Sequence, residues 1–170
     1  MDLQRVVFLS LKANINNKVI AIEPYYLNAA RLIANLRLNG LTNRAQLKLQ
    51  AASNKEGISK FKVVSESTFL SKGGRIDKTG NIIEMIKLDN LKIKNKIKGI
   101  KIDTEGEDFQ VLIGAEKIIK SQKPHIIIEV RNNNKKQIQD FFNLHKYNLY
   151  KADLDKNSIN LNNINIESVE

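Results

Sequence analysis

The sequence predicts an α/β fold in which a mostly parallel sheet is covered by helices on both faces and ends in an antiparallel strand pair. Three short runs are rich in Ile and Val and nearly continuously apolar, as strands buried on both faces are. They are VIAIEP from Val19, KGIKID from Lys98 and HIIIEV from His125. A helix pattern follows each run, and this alternation is typical of βαβ units in a parallel sheet.

The three helices are predicted from the spacing of their apolar residues. The segment YYLNAARLIANLRLNG places good helix formers between apolar residues and ends at Asn39-Gly40, which favours a left-handed helix stop. The other two segments repeat apolar side chains at the i, i+3 and i+4 positions of an amphipathic helix. The predicted helices follow Pro24, Asp103 and Glu129.

The remaining segments predict further strands. AQLKLQAAS, from Ala45 to Ser53, fits a fourth parallel strand. GISKFKVV from Gly57 and NIIEMIKL from Asn81 are separated by a polar, glycine-containing segment, which indicates an antiparallel excursion. The C-terminal residues NLYKADLDKNSINLNNINIE alternate apolar and polar residues around an Asp-Lys-Asn turn, which predicts a closing antiparallel pair.

Length and composition argue against several classes of protein, including membrane-spanning, exported, disulfide-bonded and metal-binding ones. A length of 170 residues suits one domain, so residues 1–170 are predicted as a single unit. No apolar run reaches the length of a membrane span, about 18 residues, and the N-terminal residues do not resemble an export signal. We therefore expect a cytoplasmic protein. Without cysteine, and with His125 and His145 isolated, we expect no disulfide, thiolate nucleophile or metal site.

The net charge of +10 would suit an anionic partner such as nucleic acid. However, 22 of the 28 basic residues are Lys and only six are Arg. Lys, Ile and Asn, which A/T-rich codons encode, make up 66 of the 170 residues. Nucleic-acid recognition favours the planar Arg side chain. We therefore attribute the charge to coding bias rather than to a nucleic-acid site.

The stretch IKIDTEGEDFQVLIGA holds four carboxylates between a predicted strand and a predicted helix. Thr104 at the helix N-cap, with Glu107 three residues later, has the spacing of a capping box, and acids in a first helical turn suit the helix dipole. We therefore predict structural roles for Glu107 and Asp108. Asp103, at the end of the strand, and Glu105 remain candidates for function.

Three acids directly follow predicted parallel strands: Glu23, Asp103 and Glu129. In open parallel sheets ligands bind outside the carboxyl ends of the strands. Glu23 also suits a nucleotide-type ligand, because one carboxylate can accept hydrogen bonds from both ribose hydroxyls. Pro24 then opens the next helix. The alternative is that these acids are solvated surface charges on exposed loops.

Six motifs occur in order along the chain: VIAIEP, NLRLNGL, LQAASNKEG, IKLDNL, IKIDTEGEDFQVLIGAEKII and KPHIIIEV. In order and spacing they resemble the pattern of the FkbM-type S-adenosylmethionine-dependent methyltransferases. The resemblance covers about residues 19–150 and implies a Rossmann-like class I methyltransferase fold. It also implies methylation, usually O-methylation, of a small metabolite, a sugar or a polyketide-like hydroxyl.

The resemblance implies roles for the residues at the strand ends. Glu23 would bind the ribose diol of S-adenosyl-L-methionine, and the segment from Gln50 to Ala52 would lie beside its adenine. Asp103 would face the methionine end and the reacting centre, and Glu105 would orient or deprotonate an acceptor hydroxyl. Glu129 is a candidate substrate contact, and no metal is required. The residues implied to bind the cofactor are Glu23, Pro24, Gln50, Ala51, Ala52 and Asp103.

The chain departs from the family pattern at its N-terminus. Family members carry a further strand and a glycine-rich turn, D-x-G-A-N-x-G, before the strand that VIAIEP matches. Here no glycine precedes Lys18. We therefore expect an N-terminally truncated sheet that lacks the strand between those ending in Glu23 and Asp103. Either two edges stay unpaired or the strands close into a narrower sheet. If Met1 is the true start, we expect weak cofactor binding.

Two alternatives to an active methyltransferase stay open. One is a noncatalytic, methyltransferase-like remnant that serves as a scaffold or a partner surface. The other is an RNA-binding or RNA-modifying protein, which rests on charge alone and would show steep salt dependence of RNA binding. The motifs do not indicate the acceptor substrate, which variable loops would contact, or the oligomeric state.

Overall fold

The computed structural model of the protein describes residues 3–63, 74–104, 106–154 and 159–163. The helices of this part are α1 (Leu3–Ala13), α2 (Tyr26–Leu38), α3 (Asp108–Gly114), α4 (Glu116–Gln122) and α5 (Lys135–Leu144). The strands are β1 (Val19–Ile22), β2 (Ala45–Lys48), β3 (Ala51–Ala52), β4 (Gly57–Val63), β5 (Gly74–Asp77), β6 (Asn81–Ile86), β7 (Gly99–Ile102), β8 (His125–Ile128), β9 (Tyr150–Leu154) and β10 (Ile159–Asn163).

β1 and β2 form a parallel pair joined by α2. Their register runs from Val19 opposite Ala45 to Ile22 opposite Lys48. Parallel strands need a crossover of this kind, because a tight turn cannot reverse the chain and keep both strands in one direction. β1 ends shortly before Pro24, whose fixed φ and missing N–H suit the entry to a helix.

The predicted strand from Ala45 to Ser53 is divided between two sheets. β2 pairs with β1 as far as Lys48, whereas β3 pairs in parallel with β6, with Ala51 opposite Met85. The chain changes partner because β1 ends at Ile22 and turns into α2, so that no further β1 backbone is present for β2 to pair with. One predicted strand therefore becomes two short ones.

Both predicted antiparallel regions are confirmed. β4 pairs antiparallel with β5 and with β6, in the strand order β3-β6-β4-β5. Residues 64–73, in the polar segment between β4 and β5, lie outside the described part of the chain. β9 and β10 form the closing antiparallel pair, with Tyr150 opposite Asn163.

β7 and β8 form the second parallel pair, joined by α3 and α4. Gly99 lies opposite His125, and Ile102 lies opposite Ile128. The predicted long helix after Asp103 is two helices that meet at Ala115.

The sequence predicts a truncated parallel sheet with either two unpaired edges or a narrower sheet, and the described residues have the first arrangement. Within the described residues the strands form four sheets: β1-β2, β7-β8, β3-β6-β4-β5 and β10-β9. In that part of the chain, β1 and β7 each have a strand partner on one edge only. A continuous sheet would need a strand that bonds to both. The fold is therefore a mixed α/β arrangement in which the two parallel pairs remain separate.

Two hydrophobic cores hold these pieces together. The smaller core packs α1 and α2 against one face of the β1–β2 pair, and the larger core packs α3, α4 and α5 against the β7–β8 pair. Ala21 belongs to the smaller core, while its neighbour Ile22 packs against the larger one. Because successive side chains in a strand point to opposite faces, the cores lie on opposite sides of β1.

One face of the β7–β8 pair packs against the larger core. Ile100, Ile102, Ile126 and Ile128 pack into or against the larger core. The opposite face leaves Ile127 61% exposed. The three helices α3 to α5 contribute to this single core, whereas α1 and α2 lie on the other side of β1.

Gly114 lies where α3 approaches the end of β3. A Cβ added there would lie 2.1 Å from the Ser53 carbonyl oxygen, which is backbone and cannot move aside. In an open helix, replacing Gly by Ala stabilises by about 1 kcal/mol. We expect Gly114→Ala to destabilise the chain instead, by about 1–3 kcal/mol, because of overpacking. Urea denaturation measures the change.

Gly99→Ala is the matched control for this prediction. Its added Cβ would meet its nearest neighbour, the His125 carbonyl oxygen, at an ordinary 3.6 Å. We expect no loss of stability from this variant. A Gly114→Ala chain as stable as Gly99→Ala would contradict the close approach of α3 to Ser53.

Candidate active site

Glu23 extends the β1–β2 pair by one residue and points its carboxylate towards α2. Its N–H donates to the Lys48 carbonyl at 3.0 Å, and its Oε1 accepts the Tyr25 N–H at 2.8 Å. Glu23 is half-buried, as is Pro24, the residue that follows it. The carboxylate is therefore held at the carboxyl end of a parallel strand, where ligands bind in open parallel sheets.

Asp103 and Glu129 lie at the carboxyl end of the other parallel pair. The Glu129 N–H donates to the Ile102 carbonyl at 3.3 Å, so the two acids follow neighbouring strands in register. Asp103 Oδ2 lies 2.6 Å from Lys101 Nζ, and Glu129 Oε2 lies 3.0 Å from Arg131 Nη2. Each acid therefore has a basic partner two residues away along its own segment.

The predicted grouping of three acids on one edge of one sheet needs a correction. Glu23 follows one parallel pair, whereas Asp103 and Glu129 follow another that is not hydrogen-bonded to it within the described residues. The two ends share a core, because Ile22, which ends β1, packs against the cluster that contains Ile102, which ends β7. Side-chain packing rather than a continuous ladder therefore links the acids.

The helices that follow the two parallel pairs lie on opposite sides of β1. α1 and α2 pack on one side of β1, and α3 to α5 build the core on its other side. In doubly wound sheets the direction of winding reverses at such a point, and ligands bind in the crevice outside the strand ends there. Glu23 follows β1, and Asp103 follows β7, whose helices lie on the other side of β1.

The segment Gln50–Ala52 lies beyond the end of β2. The Gln50 amide nitrogen donates to Glu84 Oε2 at 3.0 Å. Ala51 is buried within β3, and Ala52 packs against the larger core. Gln50 is therefore the member of this segment with a polar side chain near the surface. Its partner, Glu84, is on β6.

The predicted capping box at Thr104 and Glu107 is wrong. α3 begins at Asp108, and its N-cap residue, Glu107, makes no side-chain capping bond. Asp108 is buried, and its carboxylate accepts the Thr104 N–H at 2.9 Å, the Thr104 hydroxyl at 3.1 Å and the Gly106 N–H at 3.3 Å. Because this carboxylate binds the loop before it, the helix starts later than predicted. Asp108 keeps the structural role predicted for it.

Gly106 lies in the loop before α3. Gly106 has a φ of +113°, a conformation that L side chains rarely adopt, so a glycine suits this position. Glu105, the predicted base, lies outside the described residues. Its role stays a prediction.

Glu107, for which the sequence predicts a structural role at the helix start, is a further candidate site residue. Burial raises the pKa of its carboxyl above the ordinary 4.5, while Lys55 and the nearby Ser53 hydroxyl lower it and Asp108 raises it. The Ser53 hydroxyl is buried and has no hydrogen bond of regular geometry in the described part of the chain. The residue in the sequence that could have indicated this position is Gly114. Its lack of a side chain lets α3 approach the Ser53 carbonyl at the end of β3.

A metal site and a membrane span receive no support from the described residues. They contain no cluster of three or more His, Cys, Asp or Glu side chains that could hold a metal. None of their helices combines the length and apolar character needed to cross a bilayer. A cavity of about 310 Å³ beside the α3–α4 junction includes none of the strand-end acids in its lining.

Comparison with known families agrees with the arrangement of strands and helices. The family model described as Methyltransferase FkbM domain matches residues 4–154. The chain belongs to the FkbM methyltransferase domain family. The match includes α1, which lies before the motifs that carried the resemblance in sequence.

A solved structure shares the fold. The crystal structure of methyltransferase FkbM from Methylobacillus flagellatus KT superposes with a TM-score of 0.66 at 18% sequence identity. The similarity covers 89% of this chain and 37% of that protein, so the chain spans little more than a third of its length. A search of curated proteins found no significant match.

Replacing Glu107 by Gln should change how stability depends on pH. The folded chain holds the Glu107 proton more tightly than the unfolded chain, because burial raises its pKa. The contribution to stability therefore falls as pH rises from the ordinary pKa through the raised one. We expect Glu107→Gln to have the higher melting temperature at pH 7, with the difference disappearing below about pH 4.

Asp140→Asn, on an exposed acid of α5, is the control for this comparison. It should show no such pH-dependent gain. A lower melting temperature of Glu107→Gln than of the native chain at pH 7 would show that burial is not the dominant influence on Glu107.

Replacing Asp108 by Asn should loosen the loop that precedes α3. The Asn amide group cannot accept from all three donors, two on Thr104 and one on Gly106. Leaving a buried donor unpaired costs about 1–3 kcal/mol. We expect a loss of stability of this size at pH 7 by urea denaturation. A change no larger than that of Asp140→Asn would contradict the structural role of Asp108.

Proposed function

We propose that the chain is the core of an S-adenosylmethionine-dependent methyltransferase that methylates a hydroxyl group of a small molecule or sugar. One observation carries most of the proposal: a chain of the FkbM methyltransferase family has two acids, Glu23 and Asp103, at the ends of parallel strands whose helices lie on opposite sides of β1. This is where Rossmann-like folds bind nucleotide-type ligands.

The chemistry of these residues fits part of the cofactor. Glu23 is half-buried, and the Tyr25 N–H orients its carboxylate, which could accept hydrogen bonds from both ribose hydroxyls. Asp103 could pair with the ammonium group of the methionine part in exchange for its present partner, Lys101. Gln50 would contact the adenine edge, with Ala51 and Ala52 shaping the apolar side of that contact. For the methionine part the described residues offer Asp103 but no glycine-rich cradle.

The chain would contribute positioning and a base. S-adenosylmethionine, when bound, would supply a methyl group on a positively charged sulfur. The acceptor oxygen would form a bond to the methyl carbon as the carbon–sulfur bond breaks, and the neutral thioether, S-adenosylhomocysteine, would leave. Glu105, or Asp103 in its place, would take the proton of the acceptor hydroxyl and so strengthen it as a nucleophile. Holding the oxygen in line with the methyl group lowers the entropic part of the barrier. Glu129 would contact the acceptor, and no metal takes part.

The proposal includes a cytoplasmic setting and a small-molecule acceptor, with no nucleic acid or membrane as partner. A noncatalytic scaffold is the second candidate, and one observation favours it. β1 and β7 each lack a second strand partner within the described residues, although the proposed ligand would bind between their ends. A site bounded by unpaired strands holds a ligand less rigidly.

Titration of S-adenosylmethionine into the isotopically labelled chain, followed by NMR, tests the proposal. We expect weak, saturable binding with shifts of the amides of Ile22, Glu23 and Tyr25 and of those from Ile102 to Thr104. Glu23→Gln removes a charged acceptor, and loss of a charge-assisted hydrogen bond of about 1.5–3 kcal/mol predicts at least tenfold weaker binding.

Glu129→Gln is the matched control, since Glu129 is also a strand-end acid with a basic partner. It should leave S-adenosylmethionine binding nearly unchanged. Shifts confined to other surfaces, or equal effects of the two variants, would contradict a cofactor site at Glu23. Absence of any saturable binding would favour the scaffold.

A further inference from the structure

Three lysines line the cavity of about 310 Å³ beside the α3–α4 junction, which we call the lysine cavity. Lys87 directly follows β6, and Lys117 and Lys120 lie on α4. The volume is within the range of small-molecule sites, which begins at about 300 Å³. We propose that the lysine cavity is a second ligand site, and that it binds the diphosphate group of a small phosphorylated molecule.

The three ammonium groups have no anionic partner in the part of the chain that the structure describes. No carboxylate there lies within 4.0 Å of Lys87, Lys117 or Lys120 Nζ. Lys87 is half-buried, and taking an ammonium group out of water without a partner is unfavourable. Lys117 and Lys120 are three residues apart and so are neighbours on the helix surface, where like charges repel. A bound anion would supply the partner and relieve the repulsion.

The two acids in the lining have other partners. Asp89 accepts the N–H groups of Lys117 and Ile118, each at 3.0 Å, so the start of α4 is already capped. Glu116 Oε1 lies 3.2 Å from His145 Nε2. The groups of the lining that remain available to an anion are therefore the lysines, rather than the helix end.

The charge of the lysines matches a diphosphate better than a single phosphate. A terminal phosphate carries about −1.5 to −2 at pH 7, and an inner phosphate adds about one further negative charge. Lysine binds phosphate as a compact charge whose three donors rotate, so it does not need the fixed alignment of an arginine fork. Asn90 and Ile113 complete the lining. The Asn90 amide could donate to a phosphate oxygen, and Ile113 offers apolar surface to the organic part of the ligand.

A basic segment beside α4 would attract anions to this part of the surface. The Ile97 N–H donates to Gln122 Oε1 at 2.7 Å, which holds the segment before β7 against the end of α4. Every second residue of this segment is an exposed lysine: Lys92, Lys94, Lys96 and Lys98. A field of one sign raises the local concentration of oppositely charged ligands, and salt weakens this effect. Coding bias explains the number of lysines in the chain, but not their grouping around one cavity.

NMR titration of the isotopically labelled 170-residue chain tests the proposal. We expect saturable shifts of the Asn90, Ile113, Lys117 and Lys120 amides with inorganic pyrophosphate, ADP and UDP, and none of these shifts with adenosine. Tighter binding of ADP and UDP than of pyrophosphate would support a nucleotide as the ligand, and equal binding would support recognition of the diphosphate alone. Absence of saturable shifts at these amides with pyrophosphate would overturn the proposal.

Lys120→Gln is the variant that tests the lysines. Losing one charge-assisted hydrogen bond predicts about tenfold weaker binding of pyrophosphate. Lys120→Arg keeps the charge and should bind nearly as tightly as the native chain. Lys12→Gln, on an exposed lysine of α1, makes the same change in net charge away from the cavity and should leave binding nearly unchanged. Equal weakening by Lys120→Gln and Lys12→Gln would show diffuse attraction to a basic chain and overturn the proposal.

This second site does not depend on the proposed methyltransferase activity. The lining of the lysine cavity contains none of the strand-end acids, and the titration uses no S-adenosylmethionine. Glu23→Gln should therefore leave the pyrophosphate shifts at Lys117 and Lys120 unchanged. Their loss in Glu23→Gln would overturn a separate site. Failure of pyrophosphate binding and failure of S-adenosylmethionine binding are thus separate results.

Discussion

Backbone pairing in short parallel strands is the constraint on which the rest of this structure depends. β1–β2 and β7–β8 are each four residues long, and their registers end at the carbonyls of Lys48 and Ile102. Those two carbonyls accept the N–H groups of Glu23 and Glu129, and so hold both acids at strand ends. The acids are thus positioned by the main chain, before any side-chain contact contributes.

The buried carboxylate of Asp108 has a comparable effect on the loop between β7 and α3. By accepting from the Thr104 and Gly106 backbones it replaces the helical start that the local sequence favours. The helix begins later, and Gly114 then brings its end against the carbonyl of Ser53. A polar interaction at Asp108 and a steric one at Gly114 therefore determine how the loop and helix after Asp103 are positioned.

Much of the fold was predictable because its signals are local. The apolar runs at Val19, Gly99 and His125 form strands, and the alternation near the C-terminus forms an antiparallel pair. The predictions were wrong where two local hydrogen-bonding patterns competed for the same donors, or where a strand paired with a segment distant in the sequence. Thr104 and Glu107 have the spacing of a capping box, but Asp108 competes for the same donors. The run from Ala45 to Ser53 reads as one strand, yet its second part pairs with β6.

By itself, the sequence determined the types of element, their order, the acids at the strand ends and the family resemblance, because each depends on residues close together in the chain. Only the tertiary structure decided that the parallel pairs stay separate, that Glu107 is partly buried beside Ser53 and Lys55, and which backbone groups of β1 and β7 lack a strand partner among the described residues. These features depend on which distant segments of the chain share a core. The short-range periodicity of apolar residues does not show which segments these are.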